Sequence, residues 1–194
     1  MNGSTAERVG RVASWLVDVY ALDLAIDPER FVLSLSPESA SALLPVGCRS
    51  GLLVVERPGE LQLGLHLAPE DRDRTGTVVE ETSHLVCLAW HAARDLPISL
   101  LVLELQAEID RFVFARLGAR RGARRALSHF ERFRFAQDLE PVARARYEIA
   151  HARAHRYCRG LAQRFPRRAD TPALLGELRR FYRASPEKKL RIAA

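Results

Sequence analysis

The run Ile98-Ser99-Leu100-Leu101-Val102-Leu103-Glu104-Leu105 constrains this chain more than any other segment. It is so apolar that the helix it forms is expected to bury or half-bury its one carboxylate. That carries Glu104 toward the interior. A buried carboxylate needs a cation, a strong hydrogen-bond donor or a proton, because an isolated charge is very costly to desolvate. Glu108 follows one turn later, and Arg111 stands two turns from Glu104 and one from Glu108. An internal ion pair and a bound metal ion are both open at this point. Asp110 points away from these carboxylates and reads as a surface charge.

The preceding helix, expected over residues 78–94, supplies partners. Val78, Val79, Leu85, Val86, Ala89 and Ala93 form its apolar side. Glu80, His84 and His91 fall within a narrow arc on the other side, with Cys87 beside them. Taken alone this is a solvated polar face. Taken with Glu104 and Glu108, it gives two helices whose carboxylates and imidazole have spacings that suit a divalent metal.

At Glu80-Glu81-Thr82-Ser83-His84, followed by Glu104, the sequence resembles the zincin metallopeptidases, whose active helix carries HExxH. It is most similar to the gluzincin branch, in which a following helix adds a Glu ligand. The resemblance spans about residues 50–110. It implies that His84 is a metal ligand, Glu81 the base that activates water, and Glu104 the third ligand. Glu108 would orient the ligands from behind, with Arg111 beside it. A β-hairpin just before the active helix also fits the zincin arrangement. One position departs: Glu80 stands where the first ligand histidine belongs. A Glu80/His84/Glu104 set carries two carboxylates, which favour Mn²⁺ or Fe²⁺ over Zn²⁺. They would also weaken the acidification of bound water.

A second ExxH, Glu148-Ile149-Ala150-His151, lies on a later helix with His155 and Cys158. His151 borders the apolar stripe formed by Tyr147, Ala150, Ala154, Tyr157, Leu161 and Phe165. It could reach the site as an extra ligand or as a catalytic proton donor. It could equally be a core-edge histidine bonded to a carbonyl or to Glu108. A four-helix di-metal arrangement fits less well, because the first helix offers only Glu7 and Asp18, at its ends.

The expected architecture is α+β in a single domain over residues 1–194. Residues 1–77 form an α/β portion and residues 78–194 a helical bundle. Thr5 is expected to cap a helix to about Leu22, with Val9, Val12, Leu16, Val19 and Tyr20 inward. Residues 31–35 read as a strand, and Ser39–Leu44 as a helical turn stopped by Pro45. Residues 52–57 and 60–67 read as a hairpin turned by Pro58-Gly59, making a small antiparallel sheet. Leu61, Leu63, Leu65 and Leu67 would alternate onto its buried face, and residues 69–77 form a loop. Helices are then expected over 78–94, 98–118, 123–136, 140–165 and 172–184, with a short last one from Ser185. Phe130, Phe133 and Phe135 suit core positions.

Charge is unevenly divided. Residues 1–95 hold 8 Arg and 14 acids, a balance of −6; residues 96–194 hold 22 basic and 10 acidic residues, a balance of +12. Arginines cluster at 116–125 around Gly118 and Gly122 and continue from Arg144 to Arg168. A basic half suits an acidic protein or nucleic acid. No helix-turn-helix, zinc-finger or aromatic RNA-binding signature accompanies it, so a solvated arginine surface is the plainer reading. Nor is there a Gly-x-Ser-x-Gly elbow, P-loop or GxGxxG. Cys48, Cys87 and Cys158 contain no CxxC pair and are expected to be reduced, as in a cytoplasm. No segment reads as a membrane span or secretory signal. The expectation is therefore a cytoplasmic zincin-like metal-binding protein with metal-dependent hydrolase activity on an unknown substrate. The alternative is a non-catalytic module whose basic helical half docks an acidic protein or nucleic acid.

Overall fold

The computed structural model describes residues 3–57, 60–132 and 138–194. The first helix, α1 (Thr5–Tyr20), is capped one residue earlier than expected. Ser4, not Thr5, is the cap: its hydroxyl accepts from the Glu7 amide at 3.2 Å, and the Glu7 carboxylate accepts from the Ser4 amide at 3.0 Å. This reciprocal pair satisfies two amides that the helix itself leaves open. Val9, Val12, Leu16, Val19 and Tyr20 face inward, as their spacing requires.

Strand β1 (Val32–Leu33), helix α2 (Pro37–Leu43) and the hairpin β2 (Gly51–Arg57) and β3 (Glu60–His66) follow. The sheet order is β1-β3-β2. The hairpin is antiparallel, with Leu52 opposite Leu65 and Val54 opposite Leu63. β1 joins the other edge of β3 in parallel, so the sheet is mixed rather than wholly antiparallel. Leu65 and Leu67 are buried, while Leu61 and Leu63 are half-covered. His66 is also buried, against the expected alternation, because β1 and the 44–50 segment cover that end of the strand. Pro58 and Gly59 lie outside the described residues, as do Phe133 and Phe135.

The segment expected as a loop over 69–77 is mostly helical. Pro69–Asp71 makes a 3₁₀ turn, and α3 (Thr75–Ala92) starts three residues before the apolar pattern begins. The long helix expected over 98–118 is α4 (Leu100–Val113), capped by Ser99 and continued by a π-helical turn, Phe114–Gly118. Then come α5 (Ala123–Arg132), α6 (Pro141–Arg164), α7 (Thr171–Tyr182) and α8 (Pro186–Ile192).

Helix α4 is the axis of the molecule, packed against α3, α5, α6 and α8. Every residue from Val102 to Asp110 is buried. Leu105 and Ile109 are fully covered, each contributing about 2 kcal/mol by removal of apolar surface from water. α1 also packs on α3, and α3 meets β2 and β3. The polar residues of α3 and α4 are therefore enclosed between helices. No helix among the described residues is long and apolar enough to cross a membrane.

Candidate functional site

The first half of α3 contributes Glu80, Glu81 and His84; α4 contributes Glu104, Glu108 and Arg111. α5 adds His129, and α6 adds Arg146, Tyr147 and His151. Apart from Tyr147, these residues form two sets of charged contacts, one around His84 and one around Arg111 and Glu108. His84 Nδ1 lies 3.4 Å from Glu81 Oε2, and its Nε2 lies 3.3 Å from Glu104 Oε2. Arg146 Nε approaches the other Glu104 oxygen at 3.9 Å. Arg111 Nη1 donates to Glu80 at 3.2 Å and to Glu108 at 3.3 Å. Glu108 Oε2 also faces His129 Nε2 and His151 Nδ1, each at 3.3 Å.

Glu104 is 7% exposed, so its apolar sequence context correctly signals burial. The internal ion pair weighed for this region forms, between Arg111 and Glu108. Arg111 also holds Glu80, which therefore faces a guanidinium instead of joining His84 and Glu104. His84 takes Glu81 on one nitrogen and Glu104 on the other. His151 is held between two acceptors, the Glu108 carboxylate 3.3 Å from Nδ1 and the Phe130 carbonyl 3.1 Å from Nε2. It braces α6 against α4 and α5. Glu148 is exposed and pairs loosely with Arg144 at 3.9 Å. His129 and Arg146 were not anticipated. Only the packing of α5 and α6 on α4 brings them in, although His129 sits one residue before the core residue Phe130 and could have been noted there.

The electrostatics of the two Arg111 partners diverge. Burial raises the Glu80 carboxyl to about 7; Arg111 opposes this, while Glu81 and Glu108 add to it. Burial also acts on Glu108, but the hydrogen bonds from His129 and His151 and the Arg111 charge outweigh it and pull the carboxyl down to about 2. Burial disfavours a charged His84, yet Glu104 and Glu81 overcome it and hold the imidazole well above its ordinary value. A carboxyl kept near neutrality beside an ionised one is the arrangement that separates acid from base at one site.

Glu80 and Glu81 reach solvent through a cleft of about 240 Å³, lined also by Cys48, Arg49, Arg74, Thr77 and Tyr147. A neighbouring cavity of about 670 Å³ shares Gly47, Cys48 and Arg49 and extends to His66, Glu70 and Asp138. Ser50 fixes the shared wall: its hydroxyl donates to Asp71 at 2.8 Å and accepts from the Ala68 amide at 3.0 Å. Arg74 pairs with Asp71 at 3.3 Å and Arg49 with Glu70 at 3.2 Å. Burial raises the Cys48 thiol, with Glu81 and Glu104 adding to the effect. It is therefore a protonated wall residue rather than a nucleophile.

The metal suggested by EExxH can be tested against these contacts. Among the described residues, no three His, Cys, Asp or Glu side chains converge in a way that could hold a metal ion. The positive charge that a cation would bring is already supplied by Arg111 to Glu108 and by Arg146 to Glu104, and Arg111 also holds the Glu80 carboxyl. As folded, the donor set does not fit a divalent cation.

A second buried polar group lies deeper. Asp110, expected at the surface, is 1% exposed. Tyr20 donates to it, Ser83 Oγ donates at 2.5 Å, and Gln106 Nε2 donates at 2.9 Å. Lys189 of α8 is fully buried and donates to Gln106 Oε1 at 3.2 Å. The surface reading of Asp110 assumed that α4 has a solvent side. It has none, because α1, α3 and α8 complete the enclosure. Burial raises Asp110 to about 6, against the hydrogen bonds of Ser83, Tyr20 and Gln106 and the charge of Lys189.

No protein-family model, curated protein or solved structure matches the chain.

Proposed function

We propose that the protein is a hydrolase working by carboxylate acid–base catalysis at the Glu80–Glu81 cleft. The observation that carries this reading is that two adjacent carboxyls line one cleft yet are backed by different groups, Glu80 by Arg111 and Glu81 by His84. Glu81 is the base. It takes a proton from water, and the His84–Glu104 pair behind it stabilises and orients its carboxylate. Glu80, neutral below about 7, gives a proton to the leaving group. The scissile bond gains OH on one side and H on the other. The proton held by Glu81 then returns to Glu80, and no metal is needed for the balance. Tyr147 and the Cys48 thiol bound the cleft without joining the proton transfer. The mixed polarity of the lining, with Arg49, Arg74 and Asp71 among it, suits a small polar substrate.

The test is turnover of chromogenic ester, amide, glycoside and phosphoester panels by wild type, Glu81→Gln and Glu80→Gln. Loss of the base should cost about 10²- to 10⁴-fold in rate. Because Glu80 must be protonated, the wild-type rate should fall as pH rises through about 7, and Glu80→Gln should lack that limb. Turnover unchanged in Glu81→Gln, or none on any panel, overturns the proposal. The zincin-like reading, with Glu80, His84 and Glu104 as ligands, Glu81 as base and His151 as proton donor, requires Glu80 to leave Arg111. It stands or falls on metal content.

A further inference from the structure

Two arginine runs that are distant in sequence meet at one end of the helical bundle. The buried Arg116 draws them together. Its guanidinium donates to the carbonyls of Phe165 at 3.2 Å, Pro166 at 3.3 Å and Arg167 at 3.0 Å. These lie where α6 ends, and a cation there satisfies carbonyls that the helix leaves open. The π-helical turn 114–118 is thereby fastened to the 165–167 turn.

On either side of this fastening lies a shallow groove. The first, about 400 Å³, is lined by Trp15, Asp18, Arg120 and Arg168. The second, about 670 Å³, is lined by Arg124, Leu127, Arg159 and Pro166. Arg120, Arg121, Arg124, Arg125, Arg156, Arg159, Arg167 and Arg168 are all exposed. Among the described residues, none of these eight side chains makes an ion pair with a carboxylate. By contrast, Arg164 beside them is paired with Glu177. The fold thus concentrates like charge that it does not neutralise, and a polyanion would relieve the repulsion.

We propose that this face binds the phosphate backbone of a nucleic-acid duplex, independently of base sequence. Arginine forks match phosphate oxygens in pairs, which lysine does not. Among the described residues, neither groove is lined by a large exposed apolar side chain, so nothing in them inserts into a bilayer. Among the described residues, the aromatic ring that lines these grooves, Trp15, is partly covered and packed edge-on against Phe114 rather than free to stack on unpaired bases. Contacts to phosphate alone position a duplex without reading it.

The experiment is fluorescence anisotropy with a mixed-sequence 20-base-pair DNA duplex, on the full chain, at 50 and 200 mM salt. Four phosphate contacts give a slope of about −3.6 in log affinity against log salt, so affinity should fall on the order of 10²-fold across that range. The joint variant Arg120→Gln, Arg124→Gln, Arg159→Gln, Arg168→Gln should bind at least about tenfold more weakly, with a slope shallower by about one for each arginine removed. These four side chains are exposed, so its melting curve should match wild type. Arg57→Gln, on the distant hairpin, should bind as wild type. Equal binding by the joint variant and wild type overturns the proposal. So does absence of binding at 50 mM salt, or capture by phosphatidylserine vesicles without capture by the duplex.

Discussion

Replacing Glu108 by Gln tests whether the charged set around Arg111 and Glu108, between α3, α4, α5 and α6, is a unit. The Glu108 carboxylate is 7% exposed and faces Arg111, His129 and His151, each at 3.3 Å. An amide keeps the shape but leaves three cationic or donating groups without a countercharge. Breaking a buried pair from one side costs about 3–5 kcal/mol at neutral pH. The pH dependence gives an independent handle. The folded carboxyl is held at about 2, against an ordinary 4.5, a difference worth about 3 kcal/mol by linkage. Because the folded value is depressed, that stability is present above about 4.5 and is lost as pH falls toward 2. Urea denaturation of wild type and Glu108→Gln should therefore give stability curves that lie about 3 kcal/mol or more apart at pH 7 and converge by about that amount on descending toward pH 2. A gap that stays constant across this range would refute the assigned role of the carboxylate, since a shape effect does not titrate.

Asp110→Asn should act in the opposite sense. Its folded carboxyl is raised to about 6, so wild type gains stability as pH falls through 6 and loses it as pH rises. The asparagine variant should lack that trend, measured as the difference in melting temperature between pH 5 and pH 8. A wild-type trend retained in the variant would contradict the assignment. Lys189→Met should push Asp110 higher still by removing the opposing charge, read as a later midpoint in carboxyl carbon NMR titration; an unmoved midpoint would contradict the coupling. Elemental mass spectrometry on tag-free protein, reconstituted with Zn²⁺, Mn²⁺ and Fe²⁺, should find no stoichiometric metal. Near-stoichiometric metal that is lost in His84→Ala would instead restore the zincin-like reading.

Much of the site was legible in local sequence. The apolar setting of Glu104 announced its burial, and the one-turn spacing of Glu108 and Arg111 made their pairing one of two open readings, beside a bound metal. The second ExxH led to His151, though as a brace against Glu108 rather than a group at the cleft. What could not be read was which carboxylate each cation would choose. Arg111 lies 31 residues from Glu80, and that contact depends on the rotation of α3 relative to α4. Spacing within one helix does not encode that rotation. His129 and Arg146 join the site through the packing of α5 and α6 on α4, which the spacing within either helix does not encode.

Sequence by itself determined the hairpin, the succession of helices and the inward faces of α1 and α4, because periodicity and capping act over a few residues. It also determined that carboxylates had to be buried, since Glu104 cannot avoid the apolar run around it. Tertiary structure alone decided that α4 has no solvent side, which turned Asp110 from an expected surface charge into the centre of a buried network. It also decided that Arg111 and Arg146 compensate the carboxylates that a metal was expected to hold. Which charges neutralise one another in a low-dielectric interior depends on distances between helices, and those exist only once the helices have packed.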